Sequence, residues 1–138
     1  MMSSNPVETK FFATQEKGEV SALLLKPEDA IALLVLGHGA GTTMRSPLLE
    51  NLSQALSDSR IATFRYQFPY TEEGRRRINS RPVLLETVRS AISTASNAAP
   101  DLPLFAGGHS MSGRITSLAA SGSPLPAVRG IVFFGFPL

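Results

Sequence analysis

Two glycine-rich stretches constrain what this chain can fold into, because each follows a short apolar run and precedes a segment with helical periodicity. GHGAGTT (37–43) comes after the run AIALLVL (30–36), and GGHSMSG (107–113) comes after a run that ends at Ala106. A continuous apolar run of this length is typical of a strand that is covered on both faces in a parallel sheet. Sites in such sheets form where strands end and helices begin, so both stretches are candidate site loops.

The rest of the chain continues this alternation of strands and helices. The start of the chain is polar and is expected to be irregular until KFFAT (10–14). Helices are predicted to begin at Ser46–Pro47, near 80–82 and after Ser110, since a serine hydroxyl or a proline suits the first helical turn. Strands are predicted at 19–26, 30–36, 61–68, 102–107 and 129–136. This order predicts an α/β protein, a three-layer sandwich whose mostly parallel sheet carries helices on both faces.

Composition narrows the class of protein further. With 138 residues, 43% of them apolar, and no internal repeat, residues 1–138 are expected to form a single domain. The absence of cysteine excludes a disulfide framework and a thiol nucleophile, and no His or carboxylate spacing suggests a metal. A net charge of +2 does not argue for nucleic acid, and no run approaches the ~20 apolar residues that a membrane span needs. We therefore expect a cytoplasmic protein that has no cofactor and does not bind nucleic acid or membranes.

Ser110 is the candidate nucleophile. A serine presented on a sharp strand-to-helix turn needs small residues two positions before it and two after it, and here these are Gly108 and Ser112, with Gly113 next. The strict G-x-S-x-G pattern is not met, but serine is small enough for the turn to survive. Ser112 itself is rejected as nucleophile, because that register would place Arg114 where a small residue is required. Simple helix capping by serine is the alternative, and the buried strand before this turn favours the nucleophile elbow.

An acyl-transfer site also needs N–H groups directed at the negative oxygen of the tetrahedral intermediate. One donor is expected from Met111, the residue after the nucleophile, at the positive end of its helix. The second is expected from the loop GHGAG (37–41), where either Ala40 or Gly39 would donate.

The chain resembles the α/β-hydrolase superfamily, and more narrowly its dienelactone-hydrolase-like branch. That branch includes bacterial relatives of a testis-expressed hydrolase-like protein and of a subunit of the nonspecific-lethal acetyltransferase complex. The resemblance rests on LGHGAGTTM, FRYQFPY with EEGRRR following, GGHSMSGR and VFFGFPL, in that order along the chain. It implies the N-terminal portion of an α/β-hydrolase fold and an esterase-like or lipase-like activity on a small ester-like substrate. It makes Ser110 the nucleophile and Met111 and Ala40 the oxyanion donors.

The acid and the base of a serine hydrolase are not evident in this sequence. The family places them after the nucleophile, but no Asp, Glu or His follows Ser110. His109 is expected to point away from the Ser110 hydroxyl, and the resemblance implies that His38 and Gly39 brace the oxyanion loop. The carboxylates of Glu50, Asp58 and Glu86 are expected to be solvated. Two interpretations stay open: a truncated gene product that lacks the final strand and helix units, or a non-catalytic hydrolase-like binding module (pseudoenzyme).

Three further features carry weaker expectations. The predicted strand 129–136 would form an uncovered sheet edge, which predicts association through that edge and poor solubility. Arginines cluster in EEGRRRINSR (72–81), which is either an anion-attracting group or a solvated loop. Arg65, Tyr66 and Tyr70 either line the rim of the site or pack against the sheet. Nucleotide binding is disfavoured, since GHGAGTT lacks the residues of a phosphate loop.

Overall fold

The structure, a computed structural model, describes residues 5–135. Six strands form one sheet, and four helices connect or follow them. In chain order the elements are β1 (Val7–Thr14), β2 (Gly18–Leu25), β3 (Ala32–Gly37), α1 (Pro47–Asp58), β4 (Ile61–Tyr66), α2 (Pro69–Glu72), α3 (Arg81–Ala98), β5 (Leu104–His109), α4 (Met111–Gly122) and β6 (Val128–Phe134).

The strands are ordered β1-β2-β4-β3-β5-β6 across the sheet. The β1–β2 and β2–β4 pairs are antiparallel, whereas β4, β3, β5 and β6 run parallel to one another. The predicted α/β architecture with a mostly parallel sheet is therefore confirmed. No helix within residues 5–135 is both long and apolar enough to cross a membrane.

Helices cover both faces of the sheet and form three layers with it. On one face, Leu49 of α1 is buried with Leu34 and Leu36 of β3. On the other face, α3 and α4 pack over a larger apolar cluster that includes Val88 and Ile115. The start of α1 is as predicted: Pro47 is its first residue, and the Ser46 hydroxyl accepts a hydrogen bond from the Leu49 N–H at 3.3 Å.

The N-terminal region differs from the expectation of an irregular start. Residues 7–14 form β1, which pairs along its length with β2. Four exposed residues open this strand, and burial begins only at Phe11. Its strand character thus comes from pairing with β2. The short helix α2 was also not predicted, and Phe136, the last residue of the predicted strand 129–136, lies outside the described residues.

The register of the parallel strands brings the two glycine-rich stretches together. Gly37, at the end of β3, pairs with Gly108 near the end of β5, and Leu36 pairs with Gly107. The loop that follows β3 and the turn that follows β5 therefore leave the sheet side by side, at the carboxyl ends of the parallel strands. These ends, called the carboxyl edge of the sheet and distinct from its outer strands β1 and β6, carry the candidate site.

Candidate active site

Ser110 lies on a strained turn between β5 and α4. Its backbone has φ 52° and ψ −108°, and within residues 5–135 only one other non-glycine residue, Arg60, has a positive φ. Such a conformation typically costs about 1–3 kcal/mol and persists only where the surroundings enforce it. Here the Ser110 N–H donates to the Phe134 carbonyl at 3.0 Å, and the Arg114 N–H donates to the Ser110 carbonyl at 3.2 Å. The Ser110 side chain is half-buried.

The turn is possible because the residues around it are small. A Cβ built on Gly108 would lie 2.6 Å from the Gly37 carbonyl oxygen and would also meet the Ser112 hydroxyl. A Cβ on Gly113 would lie 2.9 Å from the Phe133 ring and 3.0 Å from the Gly108 carbonyl oxygen. Real side chains do not fit at these separations. Backbone segments of β3, β5 and α4 therefore approach each other more closely than any larger residue allows.

Ser112 fills the space that these glycines leave. It is fully buried, and its hydroxyl donates to the His109 carbonyl at 3.1 Å. Its Cβ would collide with a side chain at Gly37, so serine is tolerated here because Gly37 and Gly108 both lack one. A buried hydroxyl that is already bonded to backbone is a poor nucleophile, which supports the choice of Ser110 over Ser112.

The loop after β3 is fixed through the carbonyl of Gly39. This carbonyl oxygen accepts hydrogen bonds from His38 Nδ1 at 2.7 Å and from the Thr42 N–H and hydroxyl, each at 3.3 Å. The peptide between Gly39 and Ala40 is planar and trans, so the Ala40 N–H points opposite to that carbonyl. Three donors on one oxygen therefore determine the direction of the Ala40 N–H, the expected oxyanion donor. Ala40 itself is exposed.

His38 is a buried structural group. Its Nε2 accepts a hydrogen bond from the Phe68 N–H at 3.3 Å, so the proton of the neutral ring is on Nδ1, which donates to Gly39. Burial lowers the pKa of His38 to about 4, and this outweighs the Gly39 hydrogen bond, which favours the charged form. Because both ring nitrogens are engaged, His38 has no free nitrogen with which to accept a proton from Ser110.

The His109 ring lies against the loop after β3 and the end of β6. A Cβ built on Gly39 would lie 3.0 Å from His109 Nδ1, and one on Gly135 would lie 3.5 Å from its Cδ2. The ring therefore occupies the space between the loop after β3 and the end of β6. Across the described residues no hydrogen bond joins His109 to Ser110, and His109 Nδ1 is buried without a partner. That the His109 side chain points away from the Ser110 hydroxyl stays a prediction.

The segment after β4 holds the loop after β3. Tyr70 donates its hydroxyl to the Ala40 carbonyl at 2.7 Å, and the Gln67 side-chain oxygen accepts from the Met44 N–H at 3.2 Å. The Arg65 guanidinium donates to the Met44 carbonyl at 3.1 Å. Arg65, Tyr66 and Tyr70 are all at most 2% exposed, so they are buried and do not line the rim of the site.

Two carboxylates support this arrangement. The Glu50 side chain is 40% exposed and also forms an ion pair with the buried Arg65 at 3.2 Å. Glu72 accepts hydrogen bonds from the Ser21 N–H and hydroxyl, each at 2.9 Å, and from Gln67 at 3.3 Å. Partial burial would raise the pKa of Glu72, but these bonds and the nearby Lys10 outweigh it and lower that pKa below its usual value. No sequence pattern predicts this role of Glu72.

Ser110, the candidate nucleophile, lies beside the candidate oxyanion loop 37–41, and within residues 5–135 neither histidine is hydrogen-bonded to Ser110. Ser110 and the loop 37–41 meet at one edge of the sheet, and the Met111 N–H is among the first N–H groups of α4, which have no partner inside their helix. Asp101 precedes β5, so it lies at the amino ends of the parallel strands, opposite the ends that carry Ser110.

In the basic cluster after α2 the arginines are exposed, and Arg75 forms an ion pair with Glu73 at 3.0 Å.

Two open cavities lie away from this edge. One, of about 240 Å³, is lined by residues of α3 and of the α4–β6 connection, including Ile92 and Leu125. The other, of about 360 Å³, lies beside the start of β5 and is lined by Asp101 and Arg129 among others. Neither of these two cavities is lined by Ser110.

Several solved structures share this fold. A dienelactone hydrolase from Anabaena variabilis ATCC 29413 is 19% identical, with a TM-score of 0.75 over 94% of this chain and 63% of its own. The esterase Est22 is 12% identical, with a TM-score of 0.77 over 93% of this chain and 43% of its own. An alpha-beta serine hydrolase homologue from Coxiella burnetii is 15% identical, with a TM-score of 0.68 over 89% of this chain and 60% of its own.

These likenesses concern the fold, and the chain spans between 43% and 63% of the length of these three proteins. No curated protein matches the sequence. The family model described as an alpha/beta hydrolase domain matches residues 30–138, which is most of the chain. The narrower branch named from the sequence motifs stays a prediction. The chain belongs to the α/β-hydrolase family.

Proposed function

We propose that this chain carries the nucleophile and the oxyanion hole of a serine hydrolase that acts on ester-like substrates. The observation that carries the proposal is the positive φ of Ser110, on a turn packed between glycines and beside the loop 37–41. Strain of this kind is found where a side chain must be presented to a ligand. The dienelactone hydrolase and esterase likenesses favour an ester or a lactone as the substrate class.

In the proposed reaction the Ser110 Oγ attacks the carbonyl carbon of the ester and gives up its proton to a general base. The carbonyl oxygen becomes an oxyanion, which the N–H groups of Met111 and Ala40 bind. Collapse of this intermediate expels the alcohol, protonated by the same base, and leaves an acyl-Ser110 ester. Water then cleaves that ester to release the carboxylic acid and restore the hydroxyl.

The proposal requires the base and its acid partner to come from outside residues 5–135. Both nitrogens of His38 are engaged, and no hydrogen bond links His109 to Ser110. In well-studied serine proteases, loss of the base lowers turnover by roughly 10⁶-fold. The 138-residue chain alone is therefore expected to be nearly inactive.

A second candidate function is a non-catalytic module that keeps the hydrolase fold for binding. The observation in its favour is the lack of a general base among the described residues. His38 is hydrogen-bonded to backbone groups, and His109 makes no hydrogen bond to Ser110. Under this alternative the elbow at Ser110 would persist as part of the fold without an activated hydroxyl.

Reaction with a fluorophosphonate separates these functions, because only an activated serine labels rapidly. The probe is applied to the 138-residue chain and to a protein extended along the reading frame that follows Leu138, each with a Ser110→Ala control. Labelling of the extended protein and of neither control supports the hydrolase. Absence of labelling in both forms supports the non-catalytic module.

A further inference from the structure

The Tyr70 hydroxyl is directed into the oxyanion loop. It donates to the Ala40 carbonyl at 2.7 Å across thirty residues of sequence, and the Tyr70 side chain is only 2% exposed. A buried hydroxyl loses its hydrogen bonds to water, so a bond to a backbone carbonyl both satisfies it and ties two segments together. The two segments are the loop after β3 and the short helix α2.

Tyr70 is itself held firmly. Its ring stacks on Phe68 with centroids 6.5 Å apart and meets His38 edge-on at 6.2 Å. Its N–H donates to the Asn79 side-chain oxygen at 2.9 Å, and its carbonyl accepts from the Arg75 N–H at 2.8 Å. The backbone of Tyr70 and its stacking on Phe68 do not depend on the loop, so the hydroxyl is a rigid anchor for Ala40.

The tip of the loop has little packing of its own. Ala40 and Gly41 are exposed, and a Cβ built on Gly41 would meet no atom within 4 Å. Hydrogen bonds must therefore determine how this tip is oriented. The Gly39 carbonyl fixes the peptide before Ala40 through His38 and Thr42, and Tyr70 fixes the peptide after it.

We propose that Tyr70 is a positioning residue of the oxyanion hole, which holds the Ala40 peptide so that its N–H faces the Ser110 side of the loop. With both flanking peptide planes fixed, the residue between them has no freedom left to rotate. The inference rests on the proposed function, because it assigns Tyr70 a role in stabilising an oxyanion formed at Ser110. Tyr70 acts through Ala40 and does not itself contact the substrate.

The test compares Tyr70→Phe with Tyr66→Phe. Both changes remove one buried hydroxyl from the same aromatic cluster, but within residues 5–135 the Tyr66 hydroxyl makes no hydrogen bond, whereas the Tyr70 hydroxyl bonds to the loop. Fluorophosphonate labelling of the extended protein gives three quantities for each variant: the rate constant at saturating probe, the half-saturating probe concentration and the fraction of molecules labelled. Amide hydrogen exchange of residues 38–44, measured by mass spectrometry, reports loop order without requiring any reaction.

A positioning role predicts that Tyr70→Phe lowers the saturating rate constant about tenfold with the half-saturating probe concentration unchanged, since an oxyanion hole acts on the transition state. The labelled fraction stays complete, exchange of residues 38–44 accelerates, and Tyr66→Phe stays within about twofold of the unsubstituted protein in rate.

An unchanged saturating rate constant in Tyr70→Phe overturns the Tyr70 assignment alone, whatever the exchange shows, and a lower labelled fraction at that unchanged rate marks a purely structural role. If the unsubstituted protein fails to label in either form, the proposed function itself is wrong and the assignment falls with it. The two failures are therefore distinguishable.

Discussion

His38 and Phe68 are joined by a hydrogen bond in which the histidine accepts: the Phe68 N–H donates to His38 Nε2 at 3.3 Å. This bond crosses from the segment after β4 to the loop after β3. It can exist only while Nε2 is unprotonated, so the loop is held in place by the neutral form of one buried imidazole.

The stability of the chain is therefore expected to depend on pH below neutrality. The folded-state pKa of His38 is lowered to about 4 from 6.5, chiefly by burial and to a lesser extent by the charge on His109. Between these values the unfolded chain binds a proton that the folded chain does not, so the free energy of unfolding falls as the pH falls. From pH 7.5 to pH 5 the loss is about 2 kcal/mol.

Urea unfolding at micromolar concentration measures this dependence, with His109→Gln as the background so that His38 is the remaining histidine. Above pH 7 the His38 imidazole is neutral in both the folded and the unfolded chain, so it should not make the free energy of unfolding depend on pH. The same stability at pH 5 and pH 7.5 in this background would show that His38 is not the buried neutral group described here.

Substitution of Gly108 by alanine is expected to destabilise the fold by about 3 kcal/mol, since overpacking and backbone strain add. The new Cβ would lie 2.6 Å from the Gly37 carbonyl oxygen, which is backbone of the adjacent strand and cannot move aside. Gly122→Ala is the matched control, because a Cβ there meets nothing within 4 Å and a change within about 1 kcal/mol is expected. Equal effects of the two substitutions in urea unfolding would argue against a tightly packed elbow.

The strain at Ser110 predicts that the glycine variant is more stable than the alanine variant at this position, which reverses the usual order within a helix. Ser110→Ala keeps a Cβ at φ 52°, whereas Ser110→Gly relieves that strain, so the glycine variant should be more stable by about 1 kcal/mol after its greater unfolded-state entropy is counted. At Ser117, inside α4, alanine should instead be more stable than glycine by about 1 kcal/mol. Thermal or urea unfolding of the four variants checks this, and the ordinary order at both positions would rule the strain out.

Association of the chain through β6 is the fourth prediction. Strand β6 is at the edge of the sheet among the described residues, and Phe133 on it is 42% exposed, whereas the exposed start of the other edge strand, β1, carries Glu8 and Lys10. Charged side chains discourage pairing between sheet edges. Phe133→Lys should lower the association seen in sedimentation velocity, while Ile31→Lys, at a residue 52% exposed outside the strands, should not. An unsubstituted chain that stays soluble and monomeric at high concentration contradicts this account.

The fold could be predicted largely from local patterns. The run at 30–36 is apolar on both faces, and its strand β3 is buried from Leu33 to Gly37. Strand β1 could not be predicted in this way, because its residues 7–10 are exposed and only pairing with β2 makes them a strand. The position of β4 between β2 and β3 depends on contacts between distant segments, to which periodicity is not sensitive.

The same distinction holds for the candidate site. The small residues around Ser110 are neighbours in sequence, so the elbow could be predicted. The bond from Tyr70 to Ala40 joins helix α2 to the loop after β3, and it exists because β4 lies beside β3. Buried Arg65 could not be placed in advance either, since its partners Met44 and Glu50 come from the loop after β3 and from α1.

Mapping the adduct of a fluorophosphonate by peptide mass spectrometry tests the central claim most directly, because it identifies which hydroxyl of the extended protein reacts. The account predicts a single modified residue, Ser110, no adduct on the neighbouring Ser112, and loss of all modification in Ser110→Ala. An adduct on Ser112 or on another residue while Ser110 stays unmodified would contradict it.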